Sequence, residues 1–220
     1  MSTLLTINVI NEEDTAQNMF FFQEPAVYAG GPTVYSNSLY SANLGPTSGG
    51  STLTFQANLQ YYAGIQEAHS TPEVGQASGY TSASQAIDLA LASGGATNDF
   101  TEATLNPLAL SAPTAGEGIQ DGAFRIAVPS FSPPALYNVG SAVQVNGLTT
   151  LSNFVQASPN TFTDCQPILK YYVQTGSYTA GTVMNFTQSS QTAALCDFTG
   201  GYTTAQVKLK SNGTWDVSMS

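Results

Sequence analysis

The chain has 220 residues, only 8% of them charged, and its fourteen acidic side chains against four basic ones give a formal charge of −10. An average globular protein is about 25% charged, so solubility here rests on Ser, Thr, Asn and Gln. A field of this sign repels phosphate backbones and anionic lipid surfaces, which argues against nucleic acid and charged membranes as partners and leaves neutral ligands and protein surfaces open.

In chain order, Leu4 to Ile10 reads as the first strand. The opening "MSTLLTINVINEED" has no basic n-region and reaches Glu12, Glu13 and Asp14 before any small-residue cleavage site. The expectation is a chain made in the cytoplasm without a leader, with export by a non-classical route left open. No segment approaches the roughly 18 apolar residues of a spanning helix. The three acids read as a solvated turn, with calcium binding as the alternative. Next, Phe20 to Phe22 predict an inner strand that packs on both faces before Pro25 turns the chain.

The strongest periodic signal is "STLTFQANLQYYAGIQEA". Leu53, Phe55, Ala57, Leu59, Tyr61, Ala63 and Ile65 share one parity, while Thr54, Gln56, Asn58, Gln60 and Tyr62 share the other. Strict alternation predicts one long half-buried strand with an amide-rich open face. "SASQAIDLALASGG" is the only helix-like text, but Ile87, Leu89 and Leu91 also alternate and it is read as strand. Further strands are expected at Ala123 to Val128, Ala142 to Val145, Leu169 to Gln174 and Val183 to Thr187, separated by Gly-, Pro- and Ser-rich breaks.

The terminal "AQVKLKSNGTWDVSMS" is a hairpin whose register can be worked out. A two-residue Asn212-Gly213 loop would set Leu209 opposite Asp216 and mix apolar with charged residues. A three-residue loop, Ser211 to Gly213, instead pairs Leu209 with Trp215, Val207 with Val217 and Lys208 with Asp216, and is preferred. Many short strands and little or no helix predict an all-β, antiparallel β-sandwich, one domain over residues 1–220 or two packed halves. "FFFQEPAVYAGGPTV" and "YYVQTGSYTAGTV" echo one another as strand, corner and strand, and two related halves are an alternative to one undivided sandwich.

The chemistry inventory is sparse. His69 is the only histidine and lies in a loop, no Gly-x-Ser-x-Gly elbow accompanies a serine, and no Cys-x-x-Cys pair exists, so no enzyme, metal site or cofactor is expected. Cys165 and Cys196 admit a disulfide or two buried thiols. Glu24, Asp121 and Asp164 read as turn acids. Arg125, the sole arginine, reads as a solvated or ion-paired strand residue, with a ligand contact as the alternative. The sequons at Asn185 and Asn212 are taken as coincidental without a secretion signal.

Tyr28, Tyr35, Tyr40, Tyr62, Tyr80, Tyr137 and Tyr178 fall near glycines, prolines and amides, where an apolar ring and a hydrogen-bonding tip suit sugar or protein contact. The two echoing corners single out Tyr28, Tyr35 and Tyr178 as ligand-binding, with Asn37 supplying an amide. The uncharged strand face carrying Gln56 and Gln60 predicts a homo-oligomer.

The runs "FFFQEPAVYAGGPTVYSNSLYS", "LTFQANLQYYAG", "GAFRIAVPSF", "GSYTAGTVMNFTQSS" and "NGTWDV" resemble an uncharacterised bacterial family of small acidic all-β proteins. In general character the chain is also similar to inclusion-body proteins of the PixA and AidA kind, which implies lectin-like or self-associating behaviour by analogy. The functional expectation is a non-catalytic binding protein for a neutral glycan or a protein ligand. A self-assembling structural protein and a pore-forming toxin, whose long strand would line the pore, are the alternatives.

Overall fold

The computed structural model describes residues 3–220. Its strands form three sheets, antiparallel apart from two parallel pairings, and its one α-helix is a single short turn, α1 (Phe186–Ser190). The fold is therefore the all-β, sandwich-like one expected.

The largest sheet runs β16 (Val183–Met184), β4 (Tyr35–Asn37), β13 (Leu148–Gln156), β12 (Leu136–Val145), β6 (Leu53–Asn58), β1 (Leu4–Asn11), β18 (Thr204–Leu209), β19 (Trp215–Met219). It forks at one place. The alternating run after Ser51 is broken at Leu59 and Gln60 into β6 and β7 (Tyr61–Ala68), both alongside β12, with Ala57 opposite Val145 and Tyr62 opposite Ala142. Five residues on one side thus span three on the other, and the two extra ones preserve the parity while redirecting the chain. β6 carries the sheet on to β1, and β7 carries it to β8 (Thr81–Ile87).

Each arm of the fork is covered by its own smaller sheet. Over β1, β6 and β18 lies the sheet β17 (Ala194–Asp197), β15 (Lys170–Thr175), β2 (Gln17–Gln23), β5 (Tyr40–Leu44). Ile7, Val9, Phe21, Phe55, Val173 and Val207 are among the residues of the core between them. Over β7 and β8 lies the sheet β10 (Leu108–Leu110), β9 (Phe100–Leu105), β11 (Phe124–Val128), β14 (Thr161–Gln166), β3 (Val27–Tyr28), enclosing Ile65, Phe124, Ile126, Val139 and Val155. The long strand β12 serves both cores.

The three phenylalanines divide as the alternation of a strand requires. Phe21 enters the first core, while Phe20 and Phe22 pack on the opposite face with Tyr172, Met184, Tyr178 and Phe186. The echoing segment supplies β15, which pairs directly with β2, Tyr172 opposite Phe22 and Val173 opposite Phe21.

The terminal hairpin has the three-residue loop, with Leu209 opposite Trp215, Val207 opposite Val217 and Lys208 opposite Asp216. Gly213 takes the left-handed φ of 77° that this loop needs. Trp215 is only half-buried, packed on the rim of the first core.

Two expectations are corrected. Val183 to Thr187 is a two-residue strand followed by α1, because the Asn185 side chain caps the helix by accepting from the Gln188 N–H at 3.1 Å. The uncharged open face is also smaller than expected. Gln60 sits in the fork donating to the Tyr61 and Ile87 carbonyls, Tyr62 packs against the cluster of Ala142, Leu151, Phe154 and Val183, and β18 and β19 add Lys208 and Asp216 further along the same face as Gln56. The break at Leu59 and Gln60 likewise divides the single long strand expected there into two.

Cys165 and Cys196 are free, each fully buried in a different core. Burial pushes both thiols up to about 12. Neither thiol is expected to react with a polar disulfide reagent until the protein unfolds, whereupon both should. Stability should also fall as pH rises above about 9, where an unfolded thiol ionises and a buried one does not. Rapid native-state labelling would contradict the burial.

Candidate ligand-binding site

The residues singled out by the echoing corners lie in one region, but mostly inside it. Tyr28 is 5% exposed, and its hydroxyl donates to the Asn153 carbonyl at 2.7 Å and accepts from the Ser141 N–H at 3.3 Å. Burial raises its pKa well above the usual phenol value. Asn37 is fully buried, and its amide donates to Ser78 Oγ at 2.9 Å and to the Leu151 carbonyl at 2.8 Å. These two side chains are internal supports, which corrects the expectation that they contact a ligand. Tyr35 stacks on Phe154 at 5.6 Å, and Tyr178 meets Phe20 edge-on at 5.2 Å; both are half-buried.

Arg125 is ion-paired. Its Nε and Nη2 donate to the two carboxylate oxygens of Asp164 at 2.6 and 2.7 Å, and Nη1 donates to the Glu117 carbonyl at 3.1 Å. Among the described residues no group of three or more His, Cys, Asp or Glu is placed to hold a metal ion. Glu13 is held in the β1–β2 turn by a bond from its N–H to Asn11 Oδ1 at 3.0 Å.

That turn forms one wall of a hollow of about 290 Å³, where Glu13, Gln17, Gln174, Thr192 and Trp215 converge from four separate segments. Asn11, fully buried at the end of β1, fixes the wall by donating to the Thr15 and Leu44 carbonyls at 2.8 and 3.2 Å. The Glu12 N–H donates to the Leu209 carbonyl at 2.7 Å and ties the turn to the hairpin. Gly213 faces Glu13, where a Cβ would stand 3.9 Å from Oε1 on a left-handed backbone. The loop glycine thus serves the turn and leaves this side of the hollow open.

The polar groups orient each other. Gln17 Nε2 donates to Glu13 Oε2 at 2.5 Å. Gln174 Nε2 donates to Thr192 Oγ1 at 2.7 Å, and its Oε1 accepts from the Thr175 N–H at 2.7 Å. One carboxylate, two amides, hydroxyls and an indole at the rim therefore face a common space with little rotamer freedom left to lose on binding. The sequence pointed to Trp215 only as a core residue, and nothing in its local text links it to Gln17 or Gln174.

No helix among the described residues is long and apolar enough to cross a membrane. No curated protein and no solved structure matches the chain. The sequence model of one family does match, over residues 2–220, and on that extent the chain belongs to the RhiA family.

Proposed function

We propose that this protein is a non-catalytic binding protein that takes a neutral, hydroxyl-rich ligand of the glycan class in the hollow beside Trp215. The observation that carries the reading is the convergence of an indole, a carboxylate and two amides already held by mutual hydrogen bonds. A carboxylate and amides bond the donors and acceptors of adjacent sugar hydroxyls, and an indole covers the apolar face of a pyranose ring. The single carboxylate of the hollow falls short of the pair that glycoside hydrolysis uses.

Trp215 is the only tryptophan, so its emission reports on this hollow alone. A glycan array followed by calorimetry should identify a neutral glycan that shifts the emission on binding. Trp215→Ala should weaken it about tenfold or more, as loss of a stacking ring costs roughly 1–3 kcal/mol. An array without neutral hits, or a hit that leaves the emission unchanged, would overturn the function or the site respectively.

Self-association is a second reading, favoured by β19. This strand ends the large sheet, and while Thr204 and Ser220 exchange both backbone bonds across the hairpin, alternation turns the N–H and C=O groups of Trp215, Val217 and Met219 outward. A second copy pairing there would extend the sheet. Sedimentation should then show concentration-dependent dimers that Val217→Pro abolishes; a monomer at all concentrations would refute this.

A further inference from the structure

A second hollow, of about 360 Å³, opens at the far end of the other core, lined by Glu67, His69, Tyr80, Pro134, Leu136 and Tyr137 among others. We infer that it binds a small quaternary or methylated ammonium group, with Glu67 as counter-ion and the Tyr80 and Tyr137 rings as walls. This inference is independent of the glycan reading and concerns a different part of the fold.

The register sets the three groups together. Glu67 on β7 lies directly opposite Tyr137 on β12 and opposite Thr81 on β8, the neighbour of Tyr80. The Tyr80 N–H donates to the Glu67 carbonyl at 3.0 Å, which brings the loop before β8 back over the strand. Each ring is braced by a neighbouring ring. Tyr80 stacks on His69 with centroids 4.0 Å apart and planes 11° apart, and Tyr137 meets Phe131 at 5.1 Å and 75°. Braced rings bordering a concavity are the means by which proteins hold ammonium ions too bulky or too alkylated to be hydrogen-bonded.

Charge points the same way. Three of the four basic residues are ion-paired elsewhere, Arg125 with Asp164, Lys170 with Asp197 and Lys210 with Asp216, and the fourth, Lys208, lies on the terminal hairpin. Glu67 has no salt-bridge partner among the described residues, and it is half-buried, where an unbalanced carboxylate costs more than in water. Tyr137 has its ionisation pushed up, by burial first and then by the neighbouring Glu67 carboxylate, so the local field favours a positive guest. A neutral sugar would leave that field uncompensated.

His69 is the only histidine, so its ring gives a single pair of imidazole proton signals in the NMR spectrum of the whole protein. Choline chloride, added against sodium chloride at constant ionic strength, should shift these signals saturably. The uncharged isostere 3,3-dimethylbutan-1-ol should bind about tenfold more weakly, the span of one desolvated cation–π contact. Glu67→Gln and Tyr80→Ala, the latter at a largely exposed ring, should each weaken choline about fivefold or more while leaving the unfolding midpoint nearly unchanged. Phosphocholine should bind less well than choline because its phosphate meets the acidic surface. Equal binding of the isostere, no saturable shift, or tighter binding of phosphocholine would overturn the inference.

Discussion

Phe21→Ala should destabilise the protein by about 3–5 kcal/mol, the cost of emptying a well-packed aromatic site. Phe21 is fully buried and stacks face to face on Phe55, with centroids 4.5 Å and planes 2° apart. Phe55 belongs to the large sheet and Phe21 to the sheet covering it, so this pair joins the two layers of the first core. Neighbours at two rigid sheets cannot collapse into the vacated space, which places the change at the costly end of the range. Phe20→Ala and Phe22→Ala offer the comparison. Both are equally buried, but their cluster is roofed by the one-turn helix α1 and the loop carrying Tyr178, which have fewer sheet bonds to resist settling inward. Equilibrium denaturation should rank Phe21 as the most costly of the three, and a smaller loss for Phe21→Ala than for either neighbour would mean that the first core is not the main source of stability.

The division of the phenylalanines was legible because a strand offers only two faces and all three positions are apolar. The register of the terminal hairpin was legible for a related reason. One loop length alone puts Leu209 with Trp215 and Lys208 with Asp216, so side-chain chemistry chooses the turn. What the alternation of Leu53 to Ile65 did not reveal was the fork. Leu59 and Gln60 keep the parity, and a two-residue insertion leaves no trace in a period-2 pattern. Nor did it reveal which partner each half takes, since pairing with β1 or with β8 is decided by residues far away in the chain.

The site was less legible than the fold. Tyr28 and Asn37 stand beside glycines or in polar text, and the same text describes an exposed corner or a buried one. Long-range partners decide between them: Asn153 for Tyr28, and Ser78 with Leu151 for Asn37. Such partners lie 41 to 125 positions away, beyond any local pattern. Trp215 shows the converse. Its pairing with Leu209 was read correctly, yet strand β19 is the edge of the sheet, so the same register that aims the indole at the core leaves its outer side facing Glu13 and Gln174.

The support role assigned to Tyr28 gives the other large expected effect, at Gly140. A Cβ on this residue of β12 would stand 2.3 Å from the Tyr28 hydroxyl, 2.3 Å from the Asn153 carbonyl oxygen and 2.7 Å from the Phe154 Cα. Two of those atoms are backbone of the adjoining strand β13 and cannot rotate away. The third is the phenol whose bonds to Asn153 and Ser141 join β3 to the large sheet. Gly140→Ala must therefore either spread β12 from β13, beside the irregularity already present between Ser141 and Ala142, or expel the Tyr28 tip and leave the Asn153 carbonyl without that donor. Overpacking costs about 1–3 kcal/mol and an orphaned buried polar group a similar amount, so a total loss of about 3 kcal/mol or more is expected. Tyr28→Phe in the wild-type background removes the hydroxyl but not the ring and should cost about 1–2 kcal/mol. Combined with Gly140→Ala it should cost less than the sum, because the phenol oxygen is one of the three atoms the new methyl strikes. Strict additivity in that double-mutant cycle, measured by denaturation of all four proteins, would show that Gly140 and Tyr28 do not share the contact.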